Sequence, residues 1–107
     1  MGGVQFIQTR EQEHFRASDL IGSSVFGADN ARIGDINDVL LSRQGQVTAV
    51  VLGVGGFLGL GERYAALPPN AVVLARQPDG SMRAVVDATR DQLRNSPEFK
   101  YEGNLRR

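Results

Sequence analysis

The stretch that most constrains this chain is residues 47–68, VTAVVLGVGGFLGLGERYAALP. It opens with the most apolar run in the protein, passes through a turn rich in glycine, and closes with a second short apolar run. Both faces of the first run are apolar. Val47, Ala49 and Val51 fall on one side, and Val50, Leu52 and Val54 on the other. A strand alternates faces with period two, so this pattern predicts a strand covered on both sides, central in a sheet or inside a barrel.

The turns around it predict more short strands. In residues 28–31 Asp29 and Asn30 favour a turn, in 43–46 Gly45 suits a positive φ, and Gln77-Pro78-Asp79-Gly80 is a hairpin signal. Short apolar runs between such turns describe an antiparallel meander, closed or partly closed into a barrel. Residues 32–42, RIGDINDVLLS, are ambiguous, because Ile33, Ile36, Val39 and Leu40 fall at helical spacing. Gly34, Asn37 and the β-branched content favour a strand, with a bulge near Asp35 reconciling Ile33 and Ile36.

Two helical pieces are expected. Ser18 can cap a single turn that Gly22 ends, and Thr89 with Gln92 forms a capping box for a short helix. Leu93 is the apolar residue of that helix, Pro97 limits its length, and Phe99 and Tyr101 are placed to pack back on the sheet. Residues 4–8 read as an extra strand within a loose arm.

A chain of 107 residues has room for one domain, burying roughly 65% of its unfolded surface. Twelve basic residues balance twelve acidic ones, and all the basic residues but Lys100 are arginine. A nucleic-acid binder carries a basic stripe to neutralise phosphate, and this chain has none, which disfavours nucleic acid as a partner. The lack of cysteine removes disulfides and thiolate metal sites and points to the cytoplasm. Neither a transmembrane segment nor a signal peptide is visible, so a soluble, unexported protein is expected.

The motifs that suggest chemistry fail on inspection. Residues 56–63 have the glycine spacing of a phosphate-binding loop, but Glu62 stands where the lysine belongs and Arg63 where a hydroxyl must hold magnesium. Asp35 and Asp38 suggest a metal site, yet in a regular strand they point to opposite faces. His14 is the only histidine and lies in the arm, away from Ser23 and Ser24. The segment around those serines is not a nucleophile elbow. No catalytic residue, cofactor or metal is therefore expected.

The order of RASDLIG at 16–22, IGDINDVLL at 33–41, GGFLGLGER at 55–63 and ALP at 66–68 resembles the PRC-barrel domain. The resemblance spans roughly 15–99. That domain also occurs in the photosynthetic reaction-centre H subunit and in a bacterial ribosome-maturation factor. The resemblance implies an all-β fold: a small antiparallel PRC-type β-barrel with a short C-terminal helix, used as a non-enzymatic adaptor for another protein. An RNA- or ribosome-associated factor and a small-molecule-binding barrel are the alternatives. The expected organisation is a flexible arm at 1–14, the barrel at 15–99 and a tail at 100–107.

Phe57, Leu58 and Leu60 stand at a loop tip, where side chains are usually polar. Either they fold over the barrel end and seal it, or they form an exposed apolar patch. With Val4, Phe6 and Ile7 of the arm they are the candidate interaction surface. Unprotected strand edges, with lysine nearly absent, predict a homodimer with the tip or the arm in its interface.

Overall fold

The structure, a computed structural model, describes residues 3–9, 14–55 and 63–101. The glycine-rich tip with Phe57, Leu58 and Leu60 lies outside the described residues. The elements in chain order are α1 (Ala17–Leu20), β1 (Ser24–Phe26), β2 (Arg32–Leu41), β3 (Val47–Val54), β4 (Arg63–Leu67), a 3-10 turn (Pro69–Ala71), β5 (Val72–Arg76), β6 (Met82–Val86) and α2 (Arg90–Arg94). The fold is all-β with a short C-terminal helix, as expected.

One six-stranded sheet runs in the order β4-β3-β2-β1-β6-β5. The strands β1 to β4 form an antiparallel meander, and β5 and β6 form a hairpin. The meander does not simply continue: β6 joins the sheet parallel to β1, with Val25 opposite Ala84. The sheet is therefore not closed. It leaves β4 and β5 as its two edges, joined in sequence by residues 68–71.

The core follows from strand alternation. Val25, Ile36, Val50, Leu52, Val54, Ala65, Ala84 and Val86 turn inward, with Leu93 of α2 among them. The arrangement of β3 bears out the two-faced strand from Val50 to Val54, all buried, while Val47 and Thr48 are exposed. A bulge modifies the start of β3. Leu40 pairs with Ala49 but Leu41 with Val47, so Thr48 is passed over and Val47 joins the face of Val50 rather than that of Val51.

The strand β2 spans the ambiguous segment, and the bulge expected near Asp35 is present as two, one on each side of it. Against β1 the register passes over Ile33, and against β3 it passes over Asn37. Both Ile33 and Ile36 are buried as a result. Gly34 is fixed by close approach, since a Cβ there would run into the Gly53 carbonyl of the neighbouring strand.

Local signals at the turns hold. Gly45 and Gly80 have φ of 89° and 91°, and Gly80 N donates to Gln77 O at 2.9 Å. The capping box closes both ways: Thr89 Oγ1 accepts from Gln92 N, and Gln92 Oε1 accepts from Thr89 N. Ser18 does not cap α1. It lies inside that turn, and Arg16 stands at the cap without a side-chain bond to it. The side chain of Arg16 instead pairs with Asp19, one turn on. Residues 4–8 form no strand.

Candidate docking surface

Two surfaces of the sheet differ in what lies over them. On the β2–β3–β4 half, outward side chains include Asp38, Val51 and Tyr64, which the register places on one face. Beyond α2 the chain returns along β4. Arg63 Nη2 donates to Ser96 O at 2.7 Å, and Phe99 N donates to Tyr64 O at 2.9 Å. Arg63 Nε is buried without a partner among the described residues. Tyr101 then crosses the face. Its hydroxyl donates to Asp38 Oδ2 at 3.0 Å and accepts from Asn37 Nδ2 at 3.2 Å. Its ring meets Phe99 and Tyr64 edge-on, at centroid distances of 5.0 and 6.2 Å. Burial raises the Tyr101 pKa above the usual phenol value, and the bond to Asp38 adds to the rise. Asp38 is the register partner of Val51, so this aromatic strap lies across the strand pair that contains Val51, which is 0% exposed.

On the other half, β1, β6 and β5 turn Phe26, Arg83, Val85 and Val73 outward. The Arg83 guanidinium stacks 3.8 Å above the Phe26 ring, a cation–π contact, and Arg83 also donates to Asn30 Oδ1. Val73 is 62% exposed. Beside it lies an open hollow of about 370 Å³ lined by Leu67, Ala71, Val73, Val85 and Ala88, with Asn70 and Asp87 as its polar rim.

A second concavity follows from the open sheet. Leu20, Val39, Val47, Val50, Val72 and Leu74 line an apolar groove of about 150 Å³ between β2–β3 and β5. Leu41 and Val47 are exposed at the β2–β3 hairpin end.

The candidate residues of the arm are the most exposed apolar side chains described: Val4, Phe6 and Ile7 at 79%, 85% and 92%. They are not brought together with Val73 or with the groove. The bulge at Asn37 corrects the reading of Asp35 and Asp38. They face Gly53 and Val51, which share a side of β3, so the two carboxylates share a face. Asp38 is engaged by Tyr101 and by Val39 N, and no group of three metal-ligating side chains occurs among the described residues. Ser23 donates to Asp19 O and Ser24 accepts from Arg32 Nε, which are structural roles. Val73 and Val85 escape a reading of the sequence. Their apolar neighbours in each strand are periodic core residues, and the only signal is that Val72-Val73 and Val85-Val86 are apolar on both faces.

A model of the PRC-barrel domain matches residues 12–93. The chain belongs to the PRC-barrel domain family. Comparison with curated proteins gives no match. In this PRC-barrel domain the match ends within α2, so the strap at 96–101 lies beyond the matched residues. No helix among the described residues is long and apolar enough to cross a membrane.

Proposed function

We propose that this PRC-barrel domain is a non-enzymatic adaptor that docks on a partner protein in the cytoplasm through the outer face of β1, β6 and β5, and that it works as a homodimer. The supporting observation is the asymmetry of the sheet's outer surface. One half is sealed by the chain's own aromatic strap, and the other presents Phe26, Val85 and Val73 beside an apolar hollow. Aromatic, arginine and aliphatic side chains at the centre with a polar rim are the composition of a protein–protein contact. The balanced charge argues against a phosphate backbone as the ligand.

A photo-crosslinking residue at position 73, expressed in the native host, tests the reading. A discrete adduct to a protein other than this chain is expected from position 73 and none from position 51 beneath the strap. Absence of any such adduct at position 73 and at position 85 would overturn it. An RNA adduct there would move the reading to an RNA-associated factor.

A further inference from the structure

The two edges of the sheet are treated differently. The edge at β4 receives a backbone hydrogen bond from Phe99, whereas among the described residues β5 pairs only with β6. Residues Val72–Arg76 contain no proline, glycine or lysine, and their register with β6 is unbroken. Of the usual devices that blunt a strand edge, β5 carries only the charge of Arg76 at its last position, leaving Val72–Ala75 bare. Unpaired donors and acceptors there stand next to the apolar groove, whose wall includes Val72 and Leu74.

The arm has the complementary property. In an extended segment Val4 and Phe6 fall on one face, while Gln5 and Ile7 fall on the other. All of them are exposed, and residues 4–8 pair with no strand. Each chain thus carries one vacant strand edge beside an apolar groove and one exposed apolar segment of strand length.

We propose that residues 4–7 of a second copy of this chain add to the free edge of β5, by two-fold exchange of the N-terminal arms. In the antiparallel register that sets Gln5 opposite Ala75, Phe6 enters the groove beside Leu74, Val4 follows on the same face opposite Arg76, and Ile7 lies outward beside Val73. The arm's point of departure fits this. Phe15 sits beneath the Arg76 guanidinium, 5.5 Å from it, at the C-terminal end of β5. Run straight back from there, a chain's own arm would lie parallel to its own β5. An arm from a partner is free to add antiparallel, the pairing with the better hydrogen-bond geometry. Reciprocal exchange satisfies both edges and both arms at once, giving a closed two-fold assembly.

The proposal rests on the homodimer reading above, and the experiment separates the two. Sedimentation of the full chain across a concentration series should give twice the chain mass of 11.6 kDa. Deletion of residues 1–10, and separately Phe6→Glu, should restore the single-chain mass, with one cooperative melting transition that no longer depends on protein concentration. The chain has no cysteine, so trans contact is read by mixing the single variants Gln5→Cys and Ala75→Cys under mild oxidation. A covalent pair containing one of each is expected. A dimer that survives both arm variants and yields no mixed pair would keep the homodimer and overturn this interface. A single-chain mass at tens of micromolar would overturn both. If a chain carrying both Gln5→Cys and Ala75→Cys links within itself and stays monomeric, the arm closes its own sheet and the second copy is refuted.

Discussion

The β2–β3–β4 half of the sheet and the β1–β6–β5 half carry similar outward residues but meet different fates. Val51 on the first and Val73 on the second are both valines on outward faces, yet one is wholly buried and the other mostly exposed. Part of the difference is position, since β3 is an interior strand and β5 an edge. The route of the chain after α2 adds to it: Pro97 follows the helix, and the return runs along β4, where Phe99 bonds to Tyr64. A few residues at the C-terminal end thus cover one sheet face and leave the other open. An apolar outward residue becomes core or surface according to whether such a segment reaches it.

The comparison is broken most sharply by paired substitutions. Val51→Asp should abolish cooperative folding, because an unpaired buried carboxylate costs several kcal/mol, comparable with the stability of a small domain. Val73→Asp should shift stability by no more than about 0.5 kcal/mol, as surface changes do. Urea denaturation of the two variants side by side reads the contrast. Equal midpoints would show that the strap does not bury its half.

Gly34 lies where the halves meet, between β1 and β3. Gly34→Ala forces a methyl group against the Gly53 carbonyl and should cost about 1–3 kcal/mol, seen as a lower urea midpoint. A neutral result would mean that β2 and β3 separate more easily than their register implies. The helix from which the strap departs depends on its cap. Thr89→Ala should cost about 1 kcal/mol, and Thr89→Ser should restore most of it.

The smallest effect concerns the strap alone. The Tyr101 phenol has a raised pKa in the folded state, so its neutral form is the one that folding favours. Its contribution is complete below the ordinary tyrosine pKa of about 10 and is lost as pH climbs through the higher folded value. Wild type should therefore lose stability between about pH 9 and 11 by more than Tyr101→Phe does. Parallel slopes for the two proteins would show that folding does not raise the pKa of this phenol.

Much of the fold is legible in the sequence because its chemistry is local. The Thr89–Gln92 box, the Gln77–Gly80 turn, Gly45 and the two-faced run from Val50 to Val54 each act within a few residues, so a short window of sequence carries each signal. The bulges are legible only in part: one is expected near Asp35, but which residues are passed over, Ile33, Asn37 and Thr48, depends on the partner strands. One passed-over residue reverses every later side chain, which is why Asp35 and Asp38 share a face and Val47 departs from Val51. The parallel pairing of β1 with β6 joins residues far apart in the chain, and no local pattern encodes it. For the candidate surface, the arm residues are legible as unpartnered apolar side chains. The Val73 hollow is not, because strand periodicity cannot say which edge stays open.

The strap has a spectroscopic consequence. The chain has no tryptophan and two tyrosines, and those two are Tyr64 and Tyr101, which touch each other where the C-terminal segment crosses the sheet. All of the protein's tyrosine emission therefore originates at this single contact. A phenol donating to a carboxylate is a weak emitter, so lifting Tyr101 from Asp38 brightens the signal, whereas an event confined to the β5 edge leaves it unchanged. Unlabelled protein thus carries a built-in lamp for one face of its sheet, and docking on the other face leaves that lamp dark.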